Sequence, residues 1–172
     1  DQAKFVAQKI QKPIITIPTS PATGAGASAL SAMYTENGAS LGYEVFDKSP
    51  DLIILDYSII INSPIDFFKF GLTDALAKYY ESMASSNGKS DNIFVQNALE
   101  LSKKIKTYLF ENSLSALKDI KNKKITDNVK NLIKINIVLA PIVGGFGGES
   151  CRAVASHAFN NSMTHIPKMQ KF

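Results

Sequence analysis

The sequence is poor in cysteine, arginine and long apolar runs, and each scarcity excludes a class of protein. A single cysteine, Cys151, excludes an internal disulfide and makes the reducing cytoplasm the default location. Arginine occurs once, at Arg152, whereas a nucleic-acid-binding groove normally uses several. No uninterrupted run of about 18 apolar residues occurs, since the nearest, 135–146, is too short and too glycine-rich to span a bilayer, and no signal peptide is visible. We therefore predict a cytoplasmic protein that binds neither nucleic acid nor membrane.

The composition that remains is that of an ordinary globular protein. The 172 residues are 45% apolar and 20% charged, which supports a buried core and excludes disorder. The net charge is +4, and many lysines fall between 103 and 134 among Asp and Asn, as on the solvated face of helices. Because the chain starts at Asp1 without a methionine, we expect both ends to lie inside a larger protein.

The first third of the chain predicts part of an α/β layer. A helix over 1–11 is followed closely by a β-branched strand over 14–17, and a second buried strand is predicted over 51–56. Between them, 28–35 and 41–46 flank a hairpin turn at 36–38. These strands are too few for a complete sheet, so residues 1–63 are interpreted as the C-terminal part of a nucleotide-binding domain.

From residue 64 onward the pattern is almost entirely helical. Ser63 is predicted to cap the first helix, with Pro64 in its first turn, and Thr126 to cap a later one. We therefore expect an all-α domain over 64–172. The predicted helices are 65–86, 92–110, 112–122, 126–143 and 149–165.

Two side chains that commonly bind divalent metals occur on separate helical segments of small residues. Asp74 lies in the segment 70–82, and His157 follows the glycine-rich stretch 144–148. A carboxylate and an imidazole that face each other from two packed helices make a site for a divalent metal. Each residue alone has a simpler interpretation. Asp74 is also typical of a carboxylate at a helix N-terminus, and His157 of a hydrogen-bonded core histidine.

Five short motifs, in order, resemble one protein family. They lie at 18–19, 28–35, 50–56 with Ile60, 71–77 and 151–158. Together they resemble the glycerol dehydrogenase branch of the iron-containing (group III) alcohol dehydrogenases, over the whole chain. The resemblance implies an incomplete Rossmann-like sheet followed by a helical metal-binding domain, with NAD and a divalent metal in the cleft between them. We also expect the full-length protein to be a homo-oligomer.

The resemblance assigns roles to individual residues. The family metal, usually zinc in this branch and iron in relatives, is held by one Asp and two His. Asp74 matches the Asp and His157 the first His, whereas the second His is expected beyond Phe172 and is not matched by His165. The family's glycine-rich pyrophosphate loop is expected just before Asp1. Positions near the cofactor are matched by Asp1, Thr19, Ser28, Leu30 and Tyr34.

One departure from the family concerns the substrate. Glycerol dehydrogenases usually carry an aspartate that contacts the polyol at the position of Gly24, and glycine cannot make that contact. The resemblance therefore implies the reaction type and leaves glycerol itself open.

The predicted function is oxidation of a secondary alcohol or polyol, with hydride transfer to NAD and a metal, zinc rather than iron, as Lewis acid. Two alternatives remain. One is a dehydroquinate-synthase-like cyclase of the same architecture, although such enzymes normally have a glutamate at the position of Asp74 and more basic residues. The other is a catalytically incomplete helical domain, and we expect the 172-residue piece alone to show no turnover.

Several other residues have a structural interpretation beside a functional one. The stretch 144–148 suits either a helix–helix joint or a close backbone approach. Ser28 and Tyr34 are also ordinary strand residues. Cys151 is interpreted as a small buried apolar residue, and His165 as a surface residue.

Overall fold

The computed structural model describes residues 1–152 and 154–169, and it is mostly helical with little sheet. A short α/β part precedes a bundle of longer helices. In chain order the elements are α1 (Gln2–Lys9), β1 (Ile15–Thr16), β2 (Leu30–Tyr34), β3 (Ser40–Val45), β4 (Leu52–Ile53), α2 (Tyr57–Ile60), α3 (Ile65–Ser85), α4 (Ile93–Lys121), α5 (Asp127–Lys134), a π-helical segment (Ile135–Leu139), α6 (Ala140–Gly147), a 3₁₀ turn (Gly148–Cys151), α7 (Ala155–Met163) and a 3₁₀ turn (Pro167–Met169).

The strands form two separate pairs. β2 and β3 make the predicted antiparallel hairpin, with the Gly38 N–H donating to the Thr35 carbonyl across the turn. β1 runs parallel to β4, with Ile15 opposite Leu52. The strands predicted over 14–17 and 51–56 are shorter than expected, and the prediction that they are buried is wrong. Ile15 and Leu52 are 59% and 49% exposed, because no further layer covers this pair in the described structure. A Rossmann-like sheet therefore stays a prediction.

The core lies in the helical part. Phe68 on α3 and Ile105 on α4 pack with the apolar faces of α5 and α6 in one continuous cluster, which runs from Ile60 to Cys151. Thr126 caps α5 as predicted, since its hydroxyl accepts the Val129 N–H at 3.4 Å. The all-helical character after residue 64 is confirmed, while the division into two domains at that residue stays a prediction.

Two details of the helices predicted before residue 126 are wrong. The helices expected over 92–110 and 112–122 form one continuous helix, α4, because Glu111 and Asn112 are tolerated inside a helix and neither glycine nor proline interrupts it. Ser63 does not cap α3. Its hydroxyl instead donates to the carbonyl of Thr19 at 2.8 Å, and Pro64 occupies the N-cap position.

The helix predicted over 126–143 continues to Gly147, but it changes from α-helix to π-helix and back to α-helix along its length. The segment Ile135–Leu139 is π-helical and leads into α6, whose second residue is Pro141. Proline lacks an N–H to donate within the helix, and its ring clashes with the carbonyl four residues earlier. The wider π-helical turn before Pro141 accommodates both the missing hydrogen bond and the ring. Asn136 lies in this segment with its side chain buried, and among the described residues its Oδ1 and Nδ2 have no hydrogen-bond partner.

Two glycines allow the α/β part to approach the helices closely. A Cβ on Gly24 would lie 2.2 Å from Cγ of Pro141 on α6. A Cβ on Gly71 would lie only 1.9 Å from the carbonyl oxygen of Pro21. The loop between β1 and β2 is therefore packed directly against α3 and α6, one turn before Asp74.

Candidate metal and cofactor site

Asp74 lies in the middle of α3, not at its start. The helix begins at Ile65, so the carboxylate in the first turn is Asp66, which pairs with Lys69 at 2.7 Å. The interpretation of Asp74 as a helix N-terminal carboxylate is therefore wrong. Its side chain is 26% exposed, and it points toward α7.

His157 lies in the first turn of α7. The single helix predicted over 149–165 is replaced by the 3₁₀ turn Gly148–Cys151 and by α7, with Arg152 in an extended conformation between them. This break is the physical reason that α7 presents its N-terminal turn, rather than its middle, to α3. The His157 side chain is 36% exposed, unlike a fully enclosed core histidine.

The two predicted metal ligands converge. Asp74 Oδ1 lies 3.3 Å from His157 Nε2. Two ligands that share a tetrahedral zinc with bonds of about 2.0–2.2 Å are separated by about 3.4 Å, so the pair fits such an ion in donor type and spacing. Within 1–152 and 154–169 no cluster of three His, Cys, Asp or Glu side chains suited to a metal occurs. A complete family-type site would thus need a ligand beyond these two.

A second carboxylate, Glu81, contacts the opposite nitrogen of the His157 ring. Glu81 is buried on α3, two helical turns after Asp74, and its Oε2 lies 2.8 Å from His157 Nδ1. Its Oε1 accepts the hydroxyl of Ser156 at 2.6 Å and the N–H of Val154 at 3.2 Å. The imidazole is therefore held between two carboxylates of one helix.

These contacts shift the pKa values of both groups. Asp74 and then Glu81 raise the pKa of His157 to about 9, against the opposing effects of burial and of the nearby Lys78 charge. Burial alone would raise the pKa of Glu81, but the hydrogen bonds from His157 and Ser156 outweigh it and lower this pKa to about 2. In the metal-free protein these two shifts favour a protonated His157 beside an ionised Glu81 at neutral pH.

The stability of the metal-free protein is expected to depend on His157 at alkaline pH. Because the pKa of His157 is raised from 6.5 to about 9 by folding, its contribution is complete below pH 6.5 and is lost as the pH rises through 9. The pKa of Glu81 is lowered from 4.5 to about 2, so its contribution is complete above pH 4.5 and is lost as the pH falls through 2. Thermal melts between pH 5 and 10 should show the alkaline decline in the wild type and lack it in His157→Gln. An identical decline in that variant would contradict the assignment, and the exposed His165→Gln serves as control.

The predicted cofactor positions lie in the α/β part, and a buried lysine links three of them. Lys4 on α1 pairs with Asp1 at 3.2 Å, donates to the hydroxyl and carbonyl of Ser28, and donates to the carbonyl of Leu30. Burial lowers the pKa of Lys4 to about 8. Thr19 and Tyr34 lie apart from this cluster with exposed side chains. These contacts hold Asp1, Ser28 and Leu30 together around Lys4. That the five predicted cofactor positions bind NAD stays a prediction.

Sequence reasoning missed Lys4 and Glu81. A signal for Glu81 existed, since Asp74, Lys78 and Glu81 are spaced i, i+4, i+7 and share one face of α3. Lys4 had no such signal, because its partners are mostly backbone carbonyls of a loop more than twenty residues away.

The remaining singled-out residues have structural roles. Cys151 is buried, and burial raises the pKa of its thiol, as expected of a small apolar core residue. His165 is exposed, as predicted. Of the two interpretations of 144–148, the helix–helix joint is confined to Gly148, because α6 extends through Gly147 and the 3₁₀ turn begins at the next residue. A Cβ on Gly147 would lie 2.2 Å from the Cβ of Cys151, so this glycine permits a close approach.

The helical run Asp127–Cys151 is long and apolar enough to cross a membrane by length and composition alone. Many of its apolar side chains, Leu132 and Val143 among them, belong to the core, whereas Phe146 is 49% exposed. Packing within the helical bundle therefore accounts for part of its hydropathy.

Comparison with known proteins supports the resemblance. An uncharacterised oxidoreductase of Synechocystis sp. is 36% identical over 98% of this chain, which covers 42% of that protein. Hydroxycarboxylate dehydrogenase A of Escherichia coli is 31% identical over the whole chain, which covers 48% of it. No family model matches the chain. The chain thus spans less than half the length of these relatives.

A solved structure supports the same relationship. The glycerol dehydrogenase of Schizosaccharomyces pombe superposes with a TM-score of 0.83 at 28% identity, covering 94% of this chain and 41% of that structure. The structural comparison and the sequence comparisons therefore indicate the same group of relatives along nearly all of the chain. As its motifs predicted, the chain resembles the glycerol dehydrogenase branch of the iron-containing alcohol dehydrogenases.

Proposed function

We propose that this chain supplies metal-binding and NAD-binding residues to an oxidoreductase that acts on a secondary alcohol or polyol. The observation that carries the proposal is the Asp74–His157 pair, 3.3 Å apart on two packed helices, in a chain similar to dehydrogenases along its whole length. When bound, the metal supplies Lewis acidity toward a substrate oxygen, and NAD supplies the hydride acceptor.

The residues of the chain divide this work between two regions. Asp74 offers a carboxylate oxygen and His157 offers Nε2, which must lose its proton before it can hold a metal. Zinc suits this oxygen and nitrogen set, and iron is the second choice. On the cofactor side, Lys4 fixes the backbone around Ser28 and Leu30, while the exposed Thr19 and Tyr34 keep side chains free for a ligand.

Metal analysis and a substrate screen of the full-length protein test the proposal together. We expect about one equivalent of zinc or iron per chain, and NAD reduction with small diols, polyols or secondary alcohols that is lost on chelation. A metal-free protein that oxidises these alcohols equally well would refute the metal role. The absence of turnover with NAD across the screen would refute the reaction.

The glycine at position 24 leaves the chain without the aspartate that would favour glycerol, so we do not expect strong glycerol specificity. The resemblance places a polyol-contacting aspartate there, but a side chain at this position would collide with Pro141. The loop would therefore have to move away from α6 to carry a carboxylate. We therefore expect a smaller preference for triols over simple diols and mono-alcohols than an aspartate at this position would give.

A second candidate substrate class is hydroxycarboxylates. Lys78 lies four residues after Asp74 on the same face of α3, and its charge acts on His157. A cation beside the metal pair suits a substrate carboxylate, and one relative is a hydroxycarboxylate dehydrogenase. Since the relatives named above are two dehydrogenases and an uncharacterised oxidoreductase, both candidates are favoured over a cyclase of this architecture. Homo-oligomerisation and a cytoplasmic location remain proposals.

Replacing Lys78 with methionine separates the two classes. If Lys78 binds a substrate carboxylate, kcat/KM for a 2-hydroxycarboxylate should fall about 10–100-fold, the effect of losing one charge-assisted hydrogen bond. The value for 1,2-propanediol should change little. Lys69→Met is the matched control, because Lys69 lies on the same helix and pairs with the exposed Asp66. Equal losses for both substrates would contradict a carboxylate-binding role.

A further inference from the structure

Glu81 is a buried carboxylate whose partners all belong to one short segment. It is 4% exposed on α3. Its Oε1 accepts from the Ser156 hydroxyl and from the N–H groups of Val154 and His157, at 2.6, 3.2 and 3.3 Å. Its Oε2 lies 2.8 Å from His157 Nδ1, and Oε1 lies 3.0 Å from the same nitrogen.

One part of this arrangement is a helix cap. α7 has no side-chain cap of its own, because Val154 occupies the N-cap position. The first N–H groups of a helix lack partners inside it, and Glu81 Oε1 accepts two of them from a neighbouring helix. Capping accounts for Oε1. It does not account for Oε2, which contacts the imidazole.

The contact with Oε2 has a chemical consequence for the ring. An ionised carboxylate only accepts hydrogen bonds, so His157 Nδ1 must carry the proton. In neutral imidazole the other nitrogen then has a free lone pair. That nitrogen is Nε2, which faces Asp74. Hydrogen bonds of this kind commonly fix the tautomer and orientation of metal-binding histidines.

We propose that Glu81 is a positioning residue that holds His157 in the Nδ1–H tautomer, with Nε2 directed at the metal beside Asp74. The inference rests on the proposed metal-dependent function. Glu81 itself stays on the far side of the ring and is not a ligand.

Glu81→Gln in the full-length protein tests this role. The amide oxygen can replace Oε1 and keep the helix cap. The amide NH₂ then occupies the position of Oε2 and donates to Nδ1, which favours a proton on Nε2 and blocks metal binding. We expect the Zn²⁺ dissociation constant, measured by competition with a chromophoric chelator, to rise about 10–100-fold. The melting temperature of the metal-free protein should change much less than in Glu81→Ala, which loses the cap as well.

Ser156→Ala is the matched control. It removes one hydrogen bond to Glu81 Oε1 and leaves the contact with Nδ1 in place. Zn²⁺ affinity should stay within about threefold of the wild type. Losing one hydrogen bond to Oε1 has a smaller effect on Zn²⁺ binding than a change of the His157 tautomer. If Glu81→Gln and Ser156→Ala weaken Zn²⁺ equally, the capping role suffices and the inference is overturned.

Nitrogen-15 NMR of the Zn²⁺-loaded protein gives a readout that capping does not influence. The wild type should show the His157 proton on Nδ1, hydrogen-bonded to a carboxylate. A proton on Nε2 in the loaded wild type would overturn the inference while leaving metal binding intact. A wild type that binds no Zn²⁺ would instead refute the proposed function, and the inference with it.

Discussion

Asp74→Asn is expected to weaken Zn²⁺ binding by more than about 100-fold and to remove most NAD-dependent activity. Replacing partners that only support a metal ligand costs about 10–100-fold in affinity, and Asp74 is proposed to be a ligand itself. The substitution keeps the size of the side chain and removes its charge. Because Asp74 contributes most to the raised pKa of His157, that pKa should fall in the same variant. Zn²⁺ titration of the metal-free protein measures the loss of metal affinity, and kcat/KM for a diol measures the loss of activity.

Asp66→Asn is the matched control for this experiment. Asp66 lies on the same helix in an exposed pair with Lys69, and its loss should cost only a few tenths of a kcal/mol. If Asp74→Asn binds Zn²⁺ as tightly as Asp66→Asn does, the carboxylate is not a ligand. Its pairing with His157 would then be an ordinary ion pair.

The proximity of Asp74 and His157 could be predicted from the sequence, because the motifs indicated these two residues and their helices were expected to pack together; their role as metal ligands stays a prediction. Asp74 and His157 were chosen by residue type and resemblance, and they lie within hydrogen-bonding reach. The interpretation of the local setting of each residue was wrong, however. Asp74 was interpreted as a helix N-terminal carboxylate, although the helix predicted over 65–86 already places it nine residues after the helix start. For His157, the sequence gives no sign that the helix predicted over 149–165 is interrupted between the 3₁₀ turn and α7.

Burial in the α/β part was predicted poorly for a physical reason. The run 51–56 is apolar enough for a central strand, and sequence pattern alone cannot say whether a layer covers it. Leu52 and Ile54 are exposed in this chain. The helices after residue 64 were predicted better, because they pack mainly on one another. The periodicity of apolar residues along each helix is then enough to indicate which face is buried.

Contacts that depend on backbone atoms were invisible to sequence reasoning. Lys4 binds loop carbonyls, and Glu81 binds the first N–H groups of α7. Neither interaction needs a particular residue type at the accepting or donating position. Such contacts emerge only once the fold places a charged side chain beside an unpaired backbone group.

The largest effect on stability is expected from Gly71→Ala. An alanine Cβ at this position would lie 1.9 Å from the Pro21 carbonyl oxygen and 2.7 Å from Nδ2 of the buried Asn136. Overpacking costs about 1–3 kcal/mol even where side chains can adjust, and a backbone oxygen adjusts less. We expect a loss of about 3 kcal/mol or more, which lowers the melting temperature by about 6–12 °C for a chain of this size. Thermal melts of the metal-free protein measure it.

Gly145→Ala is the control that separates packing from backbone effects. Gly145 lies in α6, and an added Cβ there would meet nothing within 4 Å. Alanine in an exposed helical position should be neutral or stabilising, by up to about 1 kcal/mol. Equal melting temperatures for the two variants would show that the loop at Pro21 yields easily and that α3 does not depend on this contact. A large loss confined to Gly71→Ala would show instead that the glycine holds the loop between β1 and β2 against the helix that carries Asp74, and weaker NAD binding in the same variant would support the proposed cofactor role of this loop.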